Sequence, residues 1–459
     1  MTRVWLKRVM TAGAAVLCLA QSPAALAETL TDAFIAAYKN SNILDQNRAL
    51  LRAADEDVVQ ALAGLKPVVS FVSQTRFAAP AAPGADNWTS TLALNAEITL
   101  FDNGATRAAT DAAKETVLGL RAALLQVEQQ VLLSTVQAYM EMIRAAQSVS
   151  LGQSNVRLIT QELRAARDRF EVGEVTRTDV AIAEARLAAA RGNLAAAQGD
   201  LEIGRENYKA VVGRYPGNLR WPNRPPMTAR TENAAKDIAV RQHPSIEEAQ
   251  RNVNASDANV ARTQASLGPS VSASGQYGWD QDLVGGFSAG LNVNVPIYAG
   301  GTLKSLVRQA MARRDAARSG LLQSVVDVKL GVGSAWANMA VAAARTEASR
   351  RQVRASQVAY NGVREEAKLG SRTTLDVLNA EQELLDARTA LITAETQQYV
   401  SVYTLLSAMG LLTSQHLNLG ILTYDPADYY KFATTQDPMR VTSKRGENLD
   451  RVLRFLGGN

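Results

Sequence analysis

The sequence predicts an α+β membrane protein that is built twice from one unit of helix, strand, strand, long helix and helix. Three observations lead to this prediction. The chain repeats itself with a shift of 197 residues, four segments alternate apolar and polar residues, and two segments of more than sixty residues contain no proline. Alternation with a period of two is typical of strands, whereas a long proline-free segment rich in Ala, Leu, Gln, Glu and Arg is typical of a coiled coil.

The internal repeat predicts the domain boundaries. Residues 165–213 align with residues 362–410 at a constant shift, which indicates duplication of one structural unit. We therefore assign residues 28–213 to a first repeat and residues 233–410 to a second. The matched pairs include Val172 with Leu369, Gly173 with Gly370, Thr176 with Thr373, Asp179 with Asp376, Leu187 with Leu384, and Gly213 with Gly410.

Residues 1–27 have the pattern of a secretory signal peptide. A basic start precedes an apolar run at 9–20 that is too short to cross a bilayer, and the Ala-Leu-Ala sequence at 25–27 is a small-x-small cleavage site. This pattern predicts an exported protein whose mature chain begins at Glu28. The basic residues of the start are Arg3, Lys7 and Arg8.

The only cysteine, Cys18, lies within the predicted signal peptide. Leu17 precedes it, whereas a lipidated cysteine needs a small residue there, so we expect a non-lipidated mature chain without cysteine. Such a chain depends on packing or assembly rather than on disulfides. The net charge of +5 falls to near +2 without the leader, and no basic cluster with interleaved aromatic residues occurs, which argues against a nucleic-acid partner.

Four segments are predicted to form membrane strands in two hairpins, 66–78 with 87–101 and 269–280 with 286–298. Apolar and polar side chains alternate within them, which places the two kinds of side chain on opposite faces of a sheet. A tilted strand needs roughly 9–11 residues to cross a bilayer, and each of these segments is long enough to do so.

Two long helices, 105–170 and 302–368, are each followed by a shorter helical partner, 177–213 and 374–410. At 1.5 Å per residue, a helix of this length measures about 100 Å, which favours a coiled coil over a compact domain. Both partners repeat apolar residues every seven positions, which imposes supercoiling. The repeated residues are Val180, Leu187, Leu194, Leu201 and Tyr208 in the first repeat, and Val377, Leu384 and Leu391 in the second.

The remaining segments carry weaker patterns. Residues 214–232 contain four prolines and are predicted to form a non-helical crossover between the repeats. The C-terminal segment 411–459 is polar from Asp425 onward, and we expect part of it to be disordered. Acidic residues on the helices are expected to form solvated faces. His243 and His416 form no metal constellation, and no nucleophile, base or phosphate-binding loop is evident, so we expect no enzyme and no cofactor.

Four strands are too few to close a membrane barrel in one chain. An open sheet edge in hydrocarbon leaves unpaired backbone groups that cost several kcal/mol each, and closed membrane barrels begin at about eight strands. Two chains would give eight strands around a filled lumen, and three would give twelve around a wider passage. The strand count alone favours three chains only weakly.

The turns between the long helices and their partners lie at 172–179 and 369–376. Each has a glycine typical of a helix C-terminus with positive φ, a threonine that can cap the next helix, and an aspartate three residues later that completes a capping box. These residues are Gly173, Thr176 and Asp179 in the first turn, and Gly370, Thr373 and Asp376 in the second.

The duplicated plan, the two hairpins, the long helices and these glycine-marked turns resemble the TolC family of outer-membrane efflux proteins. The resemblance covers roughly residues 28–424, which is nearly the whole mature chain. It implies a homotrimer with a twelve-stranded β-barrel that continues as an α-helical coiled-coil barrel of twelve helices. It also implies an equatorial belt that includes the crossover 214–232 and part of the segment 411–459.

The resemblance implies a location and a set of partners as well. The protein would lie in the outer membrane of a Gram-negative bacterium, among outer-membrane lipids, and would extend into the periplasm. It would be the exit duct of a tripartite efflux or type I secretion system. Its partners would be a periplasmic adaptor (membrane fusion) protein and an inner-membrane pump of the RND, ABC or MFS class.

In the family, the two turns surround the periplasmic mouth of the duct. The resemblance implies that Asp376 and the residue one turn later, here Asn379, ring the narrowest point. Three Asp376 carboxylates around one axis would favour cations and give the mouth a titratable constriction. Asn379 stands where the family has a second aspartate, so the ring carries half of the family's charge.

Two further roles follow from the same resemblance. Asp179 and Arg372 match members of a network that holds the mouth closed, although Ala367 replaces the family's tyrosine in that network. We expect an Asp179–Arg372 ion pair to act as a soft latch, worth about 0–1 kcal/mol at a wet surface. The residues expected to dock the adaptor are Val172, Gly173, Thr176, Leu369, Gly370 and Thr373.

Three other interpretations of the sequence were considered. An exported coiled-coil scaffold without a channel would explain the seven-residue repeats but not the four alternating strands. A passive porin-like pore would explain the strands but not the long helices and their paired turns. An exported hydrolase is disfavoured because the sequence offers no catalytic site.

Overall fold

The computed structural model describes residues 28–79, 87–223, 225–226, 229–280, 284–421 and 423–435. The predicted signal peptide and residues 436–459 of the predicted tail lie outside the described residues. In chain order the elements are α1 (Leu30–Asn40), α2 (Asn42–Ala63), β1 (Val68–Phe77), β2 (Trp88–Phe101), α3 (Ala105–Glu171), α4 (Arg177–Val212), α5 (Glu232–Gln242), α6 (Pro244–Ala265), β3 (Ser270–Trp279), β4 (Gly285–Asn294), α7 (Thr302–Lys368), α8 (Thr374–Ala408) and α9 (Pro426–Thr435). Apart from α9, the same order of elements occurs twice, as a duplication would produce.

Each repeat begins with two helices, whereas the sequence predicted one. Ser41 breaks the first pair with an extended backbone, and its hydroxyl accepts the amide hydrogen of Leu44 to start α2. In the second repeat, Pro244 lacks an amide hydrogen and restricts His243 to extended backbone, so α5 ends and α6 begins there. The break at Ser41 was missed because no proline or glycine marks it, whereas Pro244 marks the second break.

The strands form one antiparallel sheet in the order β1-β2-β3-β4. Phe77 pairs with Trp88 at the tip of the first hairpin, Trp279 pairs with Gly285 at the tip of the second, and Leu92 pairs with Trp279 where the hairpins meet. The outer strands β1 and β4 each have one edge without a partner among the described strands. Their side chains are exposed throughout, including Phe71 and Phe287, so no described residue covers these edges.

The fourth strand is shorter than predicted, because β4 ends at Asn294 rather than at residue 298. Ser270 of β3 pairs with Asn294. Beyond this pair, Pro269 on one side and Pro296 on the other have no amide hydrogen to donate, so the ladder cannot continue. Tyr298, predicted to lie in the strand, follows the ladder and is exposed.

The long helices pack as two hairpins, α3 with α4 and α7 with α8. Each long helix has 67 residues, which corresponds to about 100 Å. In the first hairpin Ala183, Leu187 and Ala190 are buried, and a side chain on Gly204 would contact the Met142 sulfur. No helix in the described part of the chain combines the length and apolar composition that a membrane span requires.

The crossover between the repeats packs against the middle of the helical hairpins. Tyr139 of α3 donates its hydroxyl to the backbone oxygens of Glu28 and Arg220, at 2.9 and 2.6 Å. Tyr208 of α4 donates to the Glu28 carboxylate at 2.8 Å. These bonds tie the non-helical segment after Gly213 to the start of the described chain, next to a core formed by α1, α3, α4 and α8.

Residues Pro426–Thr435 of the C-terminal segment form the helix α9, which the sequence analysis did not predict. Helix α9 packs on α2 and α3, where Tyr429 donates to Glu56 at 3.0 Å and Arg121 lies over the ring of Tyr430. Arg121 also donates to the backbone oxygen of Pro426 at 3.3 Å. The sequence missed this helix because its stability comes from aromatic contacts with distant helices rather than from its own periodicity.

Asp55 of α2 is a buried acid beneath this tail. It is 0% exposed, and neither of its carboxylate oxygens has a hydrogen-bond partner among the described residues. Burial raises the pKa of Asp55 from 3.8 to about 6, against the opposing charge of Arg121. The expectation that acidic residues on the helices are solvated is therefore wrong for Asp55.

We predict that Asp55→Asn stabilises the protein at pH 8 but not at pH 4. The folded state binds the Asp55 proton more tightly than the unfolded state does. The free energy that the folded state loses through ionisation of Asp55 therefore grows as pH rises from about 4 to 6, and it is fully lost above that range. The gain at pH 8 should be about 3 kcal/mol, measured by thermal unfolding followed by circular dichroism. Asp57→Asn, which removes an exposed acid from the same helix, serves as the control. An equal gain at both pH values would contradict the prediction.

Candidate functional site

The two turns that join the long helices to their partners have the same backbone structure. Gly173 has φ of 80° and Gly370 has φ of 79°, in the left-handed region that favours glycine. In the first turn, the amide of Gly173 donates to Phe170 and the amide of Glu174 donates to Arg169. The second turn repeats this pair of bonds, from Gly370 to Ala367 and from Ser371 to Glu366. Both long helices thus end in a Schellman motif, which satisfies their last carbonyl groups.

The next helix of each hairpin starts with a capping box, which confirms the predicted caps. The Thr176 hydroxyl accepts the amide hydrogen of Asp179, and the Asp179 carboxylate accepts the backbone amide of Thr176 at 2.9 Å. Thr373 and Asp376 make the same reciprocal bonds, at 3.2 and 3.0 Å. Both aspartates also lie at the positive end of a helix dipole.

Each turn presents an apolar side chain to solvent. Val172 is 71% exposed and Leu369 is 86% exposed, each directly before its glycine. The backbone of the turn does not require a large apolar residue at this position, and neither side chain packs on its own hairpin. The ends of the two hairpins therefore carry apolar contact points.

The charged residues of the second turn bond within that turn. Arg372 donates from Nε to Glu366 at 2.8 Å, while the Asp376 carboxylate is held by the Thr373 amide and hydroxyl. The hydrogen bonds from Thr373 lower the pKa of Asp376 below its ordinary value. Within one chain, Arg372 therefore does not pair with Asp179, because each already has a local partner. A pair between neighbouring chains remains a prediction.

Asn379 connects the two repeats. Its side-chain oxygen accepts a hydrogen bond from Arg186 of α4 at 3.0 Å. One residue earlier, Leu378 is buried against Ile159 and Leu163 of α3. We call this contact between the α3–α4 hairpin and the α7–α8 hairpin the seam. Sequence analysis missed Arg186, because a contact between residues 193 positions apart leaves no local pattern.

Glu381 lies in the same seam and is only 4% exposed. Neither of its carboxylate oxygens has a hydrogen-bond partner among the described residues. Burial, followed by the nearby charge of Glu162, raises the pKa of Glu381 from 4.5 to about 7. The predicted solvated face is therefore wrong for this acid too.

The described residues offer no group of three or more His, Cys, Asp or Glu side chains that could hold a metal ion. His243 caps a helix, and its Nδ1 accepts the amide hydrogen of Ser245 at 3.2 Å. The chemistry of the site is thus that of capped helix ends, exposed apolar tips and a buried acid.

Comparison with known proteins places this geometry in a family. The model of the outer membrane efflux protein family matches residues 36–214 and 237–411, so it covers both repeats. The outer membrane efflux protein BepC of Brucella suis is 35% identical over 416 residues, which span 89% of this chain and 91% of that protein. The outer membrane protein TolC of Escherichia coli is 25% identical, with 69% of each chain covered.

A solved structure shows the same fold. The Campylobacter jejuni CmeC outer membrane channel superposes with a TM-score of 0.74 over 90% of both chains. At 17% sequence identity, this likeness concerns the fold alone.

We predict that Thr373→Ala loosens the start of α8 without unfolding the hairpin. Loss of an N-cap removes about 1 kcal/mol, so backbone amides in the first turn of α8 should exchange with solvent roughly fivefold faster in hydrogen–deuterium exchange. Thr374→Ala is the matched control, since the helix is capped by Thr373 rather than by its neighbour. Similar exchange in the two variants would show that the capping box does not stabilise this turn.

Proposed function

The chain belongs to the outer membrane efflux protein family, and on that premise we propose that it is one protomer of a homotrimeric exit duct. The duct would receive substrates from an inner-membrane pump and pass them across the periplasm and the outer membrane, as part of a tripartite efflux or type I secretion system. The observation that carries this proposal is a four-stranded sheet with two uncovered edges, joined directly to two helical hairpins of about 100 Å.

The uncovered edges support a barrel shared between chains. Strands β1 and β4 expose apolar side chains such as Val69, Phe71, Phe287 and Leu291, which suit contact with lipid. In hydrocarbon, however, unpaired backbone groups are not tolerated, so β1 of one chain would pair with β4 of the next. Three chains would close twelve strands around an open passage.

The helices would continue this barrel into the periplasm. Each chain contributes four helices, α3, α4, α7 and α8, so a trimer would form a tunnel wall of twelve. Exposed apolar residues along α7, among them Leu322, Leu330 and Val341, are available for contacts between chains. The crossover after Gly213 and the C-terminal segment with α9 would form the belt around the middle of this tunnel.

The paired turns would form the periplasmic mouth. Asp376 would contribute one carboxylate per chain to a ring that favours cations, and its low pKa keeps it ionised in mildly acidic surroundings. Asn379 would contribute less to this ring than its position suggests, because its side-chain oxygen bonds Arg186. An Asp179–Arg372 pair between neighbouring chains would restrain the closed mouth.

The exposed tips would dock a periplasmic adaptor. Val172 and Leu369 place apolar side chains at the ends of the two hairpins, and the glycines that follow them leave the backbone accessible. Thr176 and Thr373 complete each tip. An adaptor with apolar side chains on a helical hairpin would fit between such tips, and it would link the duct to an RND, ABC or MFS pump.

We predict that the detergent-extracted protein is a trimer that resists mild SDS and dissociates to monomer only on boiling. Backbone hydrogen bonds between β1 and β4 of neighbouring chains would have to break together, which explains resistance at low temperature. Mass measurement in detergent, together with gel mobility before and after heating, tests this. A monomer in the periplasmic fraction would contradict the shared barrel and favour a scaffold without a channel.

We predict that Arg372→Ala increases the conductance of single trimers in planar bilayers. Each ion pair contributes about 0–1 kcal/mol, so loss of three pairs should raise the open probability by about tenfold. Arg351→Ala is the control. It removes an exposed ion pair between Arg351 and Glu347, which both lie on α7, and it should leave conductance unchanged. Parental conductance in the Arg372→Ala variant would exclude the latch.

A further inference from the structure

Glu381 and its counterpart in the first repeat have different environments. With the shift of 197 residues, Glu381 corresponds to Glu184 and Arg364 corresponds to Arg167. In the first hairpin, Arg167 of α3 pairs with Glu184 of α4, and both side chains are about half exposed. In the second hairpin the equivalent pair is not formed.

Arg364 turns instead toward the other hairpin. Its Nε lies 3.9 Å from Glu162 of α3, so the pair crosses the seam. Glu381 is left 4% exposed, without a hydrogen-bond partner among the described residues. The first hairpin thus has an ion pair within itself, whereas the second hairpin has an ion pair with the first. The acid left buried by this difference is Glu381.

Each helix packed around Glu381 supplies a polar group, and the cations among these groups bond elsewhere. The charged neighbours from α3 and α4 are Glu162 and Arg186, and Arg186 donates to Asn379. From α7 come Arg364, directed to Glu162, and Tyr360, whose buried hydroxyl has no partner among the described residues. On α8 itself, Arg388 donates to Gln357.

An ionised carboxylate is unstable in this position. A buried charge without a partner either binds a proton or is released to water by a change of structure. Burial and the like charge of Glu162 raise the pKa of Glu381 to about 7, while an exposed glutamate titrates near 4.5. The packed seam therefore holds a proton in a range where an opened seam does not.

We propose that Glu381 is a proton-binding group of the seam. It holds a proton while the hairpins are packed together, and it releases that proton to solvent when they separate and Arg364 transfers from Glu162 to Glu381. The Arg167–Glu184 pair of the first hairpin shows the geometry that the opened second hairpin would adopt.

The direction of the pH effect follows from the proton balance. Opening releases one proton per chain, so the ratio of packed to opened seam falls by up to about tenfold per pH unit for each chain, between about pH 4.5 and 7. Acid keeps the seam packed, and neutral or alkaline pH favours separation. This proposal rests on the proposed duct in one respect. It assumes that separation of the α3–α4 hairpin from the α7–α8 hairpin widens the mouth.

The test uses one nitroxide label per chain on the mature protein, attached at Leu369→Cys. The only native cysteine, Cys18, lies in the predicted signal peptide, so the label site is unique. Distances between labels are measured by double electron–electron resonance from pH 5 to pH 8. In the parent, the population with long distances between labels should grow at least tenfold from pH 5 to pH 8.

Two variants isolate Glu381. Glu381→Gln imitates the protonated side chain and should keep the short distances at every pH. Glu184→Gln removes the equivalent acid of the first hairpin, which is exposed, and should follow the parental pH curve. A parental distribution that does not change with pH, or a Glu381→Gln variant that follows the parental curve, would overturn the proposal.

A second measurement distinguishes failure of the proton site from failure of the chains to associate. The absence of any distance between labels at all pH values would mean that the chains do not associate, which contradicts the trimer rather than the proton site. The thermal midpoint of the Glu381→Gln variant, compared with that of the parent at pH 5 and pH 8, then tests the buried acid by itself. The thermal midpoint of the variant should exceed that of the parent by several degrees more at pH 8 than at pH 5. An equal difference between variant and parent at both pH values would overturn the proton site.

Discussion

The unpaired backbone groups at the edges of the sheet constrain the rest of the molecule. Four strands in the order β1-β2-β3-β4 leave one edge on each outer strand, and no described segment of the chain covers either. Natural sheets usually protect such edges with charges, prolines or bulges. Here each outer strand is ten residues long and exposes apolar side chains such as Phe71 and Phe287, as expected if neighbouring chains complete the sheet.

Duplication supplies two hairpins with nearly the same ends and different sides. The ends are alike because the Schellman motifs and capping boxes depend only on residues within one turn of helix. The sides differ because the second hairpin packs its Leu378, Asn379 and Glu381 face against the first. Two copies of one sequence pattern therefore produce a rigid pair of tips and a seam whose polar groups are only partly satisfied.

Two acids near the start of α8 have opposite electrostatic environments. Asp376 is exposed and bonded by Thr373, which lowers its pKa and keeps it charged. Glu381, less than two turns along the same helix, is buried without a partner, which raises its pKa. Asp376 therefore stays charged over a wider pH range, whereas the ionisation of Glu381 depends on the packing that buries it. The difference arises from burial, not from residue type.

The sequence by itself determined the features that depend on neighbours along the chain. The period of two predicted four strands, the length of the proline-free segments predicted the long helices, and the Gly, Thr and Asp spacing predicted caps that agree with the observed hydrogen bonds. Only the tertiary structure decided which faces meet. Glu184 and Glu381 occupy equivalent positions, yet one is about half exposed in an ion pair and the other is buried. The Arg186–Asn379 bond, the ordered helix α9 and the buried Asp55 likewise depend on residues far apart in sequence, because burial and pairing are properties of packed surfaces rather than of local pattern.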